Sequence, residues 1–240
     1  MINHFGKHLP ALIECFRTGG GVPYAEFRPE FTQCMDDAWR RIFDTQLVDG
    51  FIGRVDGLRT ALEKGIRVLD IGCGTGHAAN ILACEFPNST FVGYDIAEDA
   101  IAAAQNEARQ MGLTTSTFDV LDVANLDVHS GFDLITAFDT IHDQREPETV
   151  LRNVCKALVP AGIFLMIEHK FQSDVQENIG NPFAPMYYGI SLMHCTTVSL
   201  ASGGPGLGAV WGEQTARRML RDAGFTEVTV VDSPSFPIHA

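Results

Sequence analysis

No stretch of this 240-residue chain is apolar for long enough to cross a bilayer: the longest run, residues 161–167, falls far short of the roughly 20 residues a helical span needs. The N-terminus lacks a basic region followed by an apolar run and a small-residue cleavage site, so nothing marks it for secretion and the cytoplasm is the expected compartment. The six cysteines, at 15, 34, 73, 84, 155 and 195, include no Cys-x-x-Cys pair, which argues against a zinc knuckle and a disulfide framework. Positive charge is scarce, with 17 Lys plus Arg against 30 Asp plus Glu for a net −13, and only Arg40-Arg41 and Arg217-Arg218-Arg221 cluster. Duplex DNA and anionic membranes call for a basic face, so neither nucleic acid nor membrane is an expected partner. Internal repeats and low-complexity tracts are also missing.

What is present is enough apolar residue, 45%, for one α/β core. From about Ile66 short β-branched runs alternate with helical stretches, the pattern of a doubly wound, mostly parallel sheet. Strands are expected at 66–71, 90–95, 115–120, 132–138, 162–168 and 225–231. Helices are expected from Gly76 to about Glu85, over 98–111 with Gly112 as its stop, after Pro147, and over 213–223. Residues 1–60 carry no strand pattern and read as a helical connector or lid broken at 17–23, ahead of a main domain at 61–240. Residues 171–211 form an insertion rich in Gly and Pro, expected to act as a lid or substrate-binding loop.

The most informative stretch is Val68-Leu69-Asp70-Ile71-Gly72-Cys73-Gly74-Thr75-Gly76, an apolar strand running into three alternate glycines and then a helix. Glycines let backbone approach a ligand closely, and the helix start offers unpaired N–H groups to an anion. Because position 77 is His, the spacing is Gly-x-Gly-x-Gly and departs from the dinucleotide fingerprint, which speaks against an NAD-dependent oxidoreductase. Asp70, directly before the loop, suits a cationic amine. Asp95, nineteen positions beyond the last glycine with Ile96 beside it, suits the two hydroxyls of a ribose at the neighbouring strand tip. Asp122-Val123, after the third strand, offers a carboxylate and an apolar wall to an adenine.

Asp70 to Gly76 with Asp95, Asp122 and Phe132-Asp133-Leu134-Ile135 resembles a class I S-adenosylmethionine-dependent methyltransferase over roughly residues 50–232. Ala137 to Gln144, Met193 to Ala201 and Gly203 to Gly208 resemble a narrower group whose bacterial members carry an N-terminal winged-helix domain, which this sequence lacks. The resemblance implies S-adenosyl-L-methionine as cofactor, held by Asp70, Gly72, Gly74, Gly76, Asp95, Ile96, Asp122 and Val123, and methyl transfer to an O- or N-nucleophile of a small molecule. Such enzymes end on an antiparallel seventh strand between strands five and six; Pro234 and Pro237 fit a strand poorly, so six strands are expected and the ladder there is left unpaired.

Displacement at a sulfonium needs alignment in a dry site and no obligatory metal. A hydroxyl acceptor also needs a base. Asp139, His142 and Asp143 follow strand four: His142 is the first candidate base, His194 the second, and Asp139 a cofactor or substrate contact. Tyr24, with His142 and His194, is a candidate substrate contact; Phe5, Phe27 and Trp211 either close the pocket or simply pack. The same histidines read otherwise as helix-capping or buried structural groups. A non-catalytic module that retains donor binding stands as the alternative to an enzyme.

Overall fold

Successive side chains on a strand point to opposite faces, and along β1 (Arg67–Ile71) this sends Val68 into one apolar core and Leu69 and Ile71 into another. The computed structural model describes residues 2–231 and 238–239. The other strands are β2 (Thr90–Asp95), β3 (Ser116–Val120), β4 (Phe132–Phe138), β5 (Leu158–His169) and β6 (Ile238–His239). They form one sheet in the order β3-β2-β1-β4-β5-β6, parallel from β3 to β5 and antiparallel between β5 and β6. The order reverses at β1, whose Ile71 is level with Tyr94 on one side and Ala137 on the other. A crevice therefore opens beyond the C-terminal ends of β1 and β4, the usual ligand position in such sheets.

Among the described residues four α-helices precede β1: α1 (Ile2–Thr18), α2 (Tyr24–Phe27), α3 (Glu30–Gln46) and α4 (Leu58–Lys64). The crossovers are α5 (His77–Glu85), α6 (Glu98–Gln110) and α7 (Pro147–Ala157); α8 (Ala184–Met193), α9 (Cys195–Ala201) and α10 (Glu213–Ala223) follow β5. α6 starts on Glu98 and Asp99, which complement its N-terminal partial charge, and stops where Gly112 takes φ +68°. Phe43, Leu62, Leu82 and Ile101 cover one face of the sheet, against Val68, Phe91 and Leu134. Val150, Leu151, Val154, Met219 and Leu220 cover the other, against Leu69, Ile71 and Ile135. Each such side chain contributes about 1.5–3 kcal/mol on burial, so these two layers hold the sheet that carries the site.

Four expectations need correction. Residues 225–231 form no strand: Phe225 stacks on Phe164 at 5.6 Å and the Val228 carbonyl accepts from Arg217 Nη1 at 3.0 Å, so the segment covers β5 by side-chain contact alone. Its β-branched composition suits a half-buried surface, whether or not a ladder forms. β5 begins earlier than residue 162, because Leu158 pairs with Phe132 before an irregularity at which Ala161 takes φ +64°. The unpaired ladder expected at the C-terminus is partly filled, since Glu168 pairs with His239 and His169 with Ile238; residues 232–237 and 240 lie outside the described residues. The 171–211 stretch is built on α8 and α9, so its turn formers punctuate helices instead of making one long loop.

Candidate active site

The turn after β1 is built by sterics on two sides and left open in the middle. A Cβ at Gly72 would lie 2.1 Å from Thr140 Oγ1, and one at Gly76 would lie 2.5 Å from Ala104 Cβ, so both positions admit only glycine for packing reasons. A Cβ at Gly74 meets nothing within 4 Å, and its φ of +53° turns the backbone toward a cavity of about 430 Å³. Gly76 is not among the residues that line that cavity; it seats the turn on α6 and β3.

Asp95 locks the turn to β2, accepting from Gly74 N through Oδ2 and from Ala97 N through Oδ1, each at 2.9 Å. Burial raises its pKa while these amides oppose the rise; each oxygen keeps a lone pair for a further donor. Asp70 accepts from Thr136 Oγ1 at 2.7 Å, as their opposed places on β1 and β4 dictate. Its pKa rises to about 7, chiefly through burial and with help from the Asp95 charge. Ile96, 58% exposed, and Asp122 and Val123 also line the cavity, and Asp122 Oδ1 accepts from Ala124 N at 2.9 Å. Sequence reasoning placed all of these at one end of a crevice, and the strands bring them together there.

The N-terminal helices supply contacts that the sequence did not disclose. Trp39, Met35 and Phe31 of α3 line the cavity, and Thr75 Oγ1 donates to Asp36 on the same helix. Arg40 ties Asp36 to Glu107 on α6, with Nη1 2.6 Å from Glu107 Oε1. His77 bridges Glu107 at 3.0 Å and Asp44 at 2.9 Å. Burial lowers the His77 pKa, but those two carboxylates outweigh it and the net shift is upward. Glu107 falls to about 2, because bonds from His77, Asn80 and Arg40 overcome its burial. An Asp-x-x-x-Arg pair at helical spacing was the available signal, yet nothing local says that it faces the glycine turn.

At the ends of β4 and β5 the polar groups are buried and mutually engaged. Asp139, at φ +55°, meets His169 Nε2 at 2.9 Å; burial opposes its ionisation, while His169 and His142 pull its pKa below the usual carboxylate value. His142 is 1% exposed, with Nδ1 2.6 Å from Glu168 Oε2, which also accepts from Trp211 Nε1 at 3.1 Å. His142 Nε2 faces Asp143 Oδ1 at 3.5 Å and Asp139 Oδ1 at 3.7 Å. Burial lowers the His142 pKa, but Glu168 and Asp143 raise it well above the ordinary value.

This corrects the picture of an open imidazole near its unperturbed pKa: His142 lies one layer behind the cavity wall, which Asp139 and Asp143 form. His194 does line the cavity, its ring 3.4 Å from that of Phe31, but burial among aromatic rings and neighbouring histidines drops its pKa to about 3, which makes it a poor proton acceptor. Tyr24 lines the same wall, edge-on to His194 at 6.0 Å. Phe5 and Phe27 pack in an aromatic cluster under α1, and Trp211 belongs to the core beneath β5; none of the three lines the cavity. Glu168 was missed, although an acid at the tip of a strand was the signal that singled out Asp95.

Comparison with known proteins adds a consistent set of relatives. The sequence profile described as "Methyltransferase domain" matches residues 62–224. A malonyl-[acyl-carrier protein] O-methyltransferase of Bacillus cereus is 34% identical over 100 residues, covering 42% of this chain and 36% of the relative. A ubiquinone biosynthesis O-methyltransferase of Pectobacterium atrosepticum is 30% identical over 115 residues, covering 48% and 44%. The matched region thus spans less than half the length of these curated relatives. Among solved structures, a protein of Nostoc punctiforme described as a proposed O-methyltransferase superposes with a TM-score of 0.72 at 19% identity, over 98% of this chain and 67% of that one, a likeness of fold.

Proposed function

The chain belongs to the class I S-adenosylmethionine-dependent methyltransferases, and on that premise we propose that it methylates a hydroxyl of a flat, uncharged small molecule. The cofactor's fit rests on the open side of Gly74: that is where a ligand can lie against bare backbone, and Asp70, Asp95 and Asp122 stand around it with their acceptor capacity. Asp95 would accept from the ribose hydroxyls, Asp122 with Val123 would meet the adenine, and Asp70 and the turn would take the amino-acid end. When bound, the cofactor supplies an electrophilic methyl on a sulfonium with a neutral leaving group.

The remaining lining carries the acceptor reading. Tyr24, Phe31, Trp39, Phe43 and Phe138 give flat apolar walls, while Asp36, Asp139 and Asp143 bring negative charge. Arg145, the one arginine among the described lining residues, stands 3.9 Å from Glu146. Such a pocket repels a carboxylate and accommodates an aromatic hydroxyl. His142 is the proposed base: Glu168 fixes its Nδ1 and thereby directs Nε2 toward the wall, and the surrounding carboxylates stabilise the imidazolium that proton uptake would create. His194, neutral and stacked on Phe31, would orient the acceptor without taking its proton.

Calorimetry with S-adenosylhomocysteine, followed by a methyl-transfer assay over paired aromatic hydroxyl and carboxylic acid acceptors, tests this reading. Binding with turnover on the hydroxyl members is expected. Binding without turnover on any acceptor would favour the non-catalytic module, and preference for the acids would overturn the acceptor class.

A further inference from the structure

Behind the wall of the cavity, the groups that surround His142 form a donor set richer than a base requires. His142 Nε2, Asp143 Oδ1 and Cys195 Sγ lie within 4.8 Å of one another, contributed by the turn after β4 and the first residue of α9. His142 is 1% and Cys195 6% exposed. The buried Oδ1 of Asp143 accepts no well-aligned hydrogen bond, although His142 Nε2 stands 3.5 Å away, while Asp139 Oδ1 has His169 Nε2 at 2.9 Å. Three carboxylates, of Asp139, Asp143 and Glu168, converge on His142, with His169 beside Asp139. A buried polar atom without a partner is expensive, and a cation beside Asp143 Oδ1 would satisfy it.

We propose that His142 Nε2, Asp143 Oδ1 and Cys195 Sγ form a binding site for a zinc-class divalent cation at the acceptor end of the cavity, and that its occupancy silences methyl transfer. Imidazole with thiolate selects a soft cation over magnesium or calcium. One nitrogen, one oxygen and one sulfur suit a tetrahedral ion with its fourth place free, and Asp143, which also lines the cavity, joins the site to the acceptor end. The outer shell is already built: Nδ1 of His142 bonds Glu168 Oε2, which Trp211 Nε1 holds in turn, the carboxylate–histidine arrangement that orients metal-binding imidazoles. As the cation binds, the Cys195 thiol and the His142 ring give their protons to solvent. The lone pair on Nε2 is then committed to the metal and can no longer accept a proton from a hydroxyl, a consequence that rests on the base assignment above.

The test uses the full chain stripped by a chelator, with Co²⁺ as a spectroscopic probe and Zn²⁺ as the ligand. One equivalent of Co²⁺ should bind with a thiolate-to-metal absorption that Cys195→Ser abolishes, and Glu168→Gln should weaken Zn²⁺ binding by about tenfold or more. One equivalent of Zn²⁺ should suppress turnover, and chelator should restore it. Cobalt binding without the thiolate band, no binding at several-fold excess, or turnover that rises with Zn²⁺ would each overturn the proposal. Should Cys195→Ser fail to fold, Asp143→Asn with the same cobalt spectrum takes its place, and loss of the first equivalent is again expected. Calorimetry with S-adenosylhomocysteine on the same samples separates the readings, since an absent donor site leaves the cobalt result untouched.

Discussion

The proposed donor and acceptor ends of the cavity are made in different ways. At the donor end, one contiguous turn and two strand tips carry the groups that matter, and backbone amides fix them: Asp95 holds Gly74 and Ala97, and Asp122 holds Ala124. At the acceptor end, His142, Glu168, Tyr24 and the neighbours His194 and Cys195 come from four separate places in the chain and are fixed by one another. A site built on local backbone survives the loss of distant partners, whereas one built on side-chain mutuality depends on every helix that packs over it.

Substitutions can separate the two ends. The largest effect is expected at His142→Asn, where turnover on a hydroxyl acceptor should fall by about 10²–10⁴-fold, the usual contribution of a positioned base. Affinity for S-adenosylhomocysteine should stay unchanged; if calorimetry shows it falling alongside turnover, the two ends are not independent. Gly72→Ala tests the donor end from beneath, because the new methyl would meet Thr140 at a backbone φ of +62°. A loss of about 2–4 kcal/mol in urea-monitored stability is expected, the range of a forced clash with backbone strain. Gly74→Ala, with open space around it, should lose less stability and more donor affinity, and equal losses would contradict the division of labour within the turn.

Asp95→Ala should weaken donor binding by about 1–3 kcal/mol, the cost of removing a charged partner. Turnover at saturating donor should survive, and a drop there instead would move Asp95 from binding to chemistry. The smallest effect concerns the tie between α3 and α6. Glu107 has its folded pKa depressed to about 2, so its stabilisation is full above its ordinary value near 4.5 and is lost as pH falls toward 2. His77, raised above 6.5, acts oppositely: its contribution is complete below that value and fades as pH climbs through the folded pKa. Thermal melts from pH 2 to 5 should therefore decline more gently for Glu107→Gln than for the parent. The difference at neutral pH should be about 1 kcal/mol or less, since the group is partly exposed, and identical acid limbs would remove Glu107 from the latch.

Legibility in the sequence followed range. Strands at 90–95 and 132–138 were read to the residue, because a buried parallel strand bounded by turn formers is a local pattern. Residues 225–231 misled because their composition suits a strand, while whether backbone pairs depends on a neighbour the pattern cannot see. His142 was singled out and its surroundings misjudged: the acid at 168 that raises its pKa arrives only when β5 lies beside β4. Asp36 and Trp39 were passed over, since nothing within α3 marks the side that meets the glycine turn.

The sequence by itself determined the sheet, the turn and the three carboxylates that follow successive strands, because alternation, glycine spacing and strand-end position are properties of neighbouring residues. Tertiary structure alone decided which glycine faces the cavity, which histidine has its pKa raised and which has it lowered, and which helix closes the cavity. Those outcomes depend on desolvation and on charges brought within a few ångströms from far along the chain, and neither exists until the layers have packed.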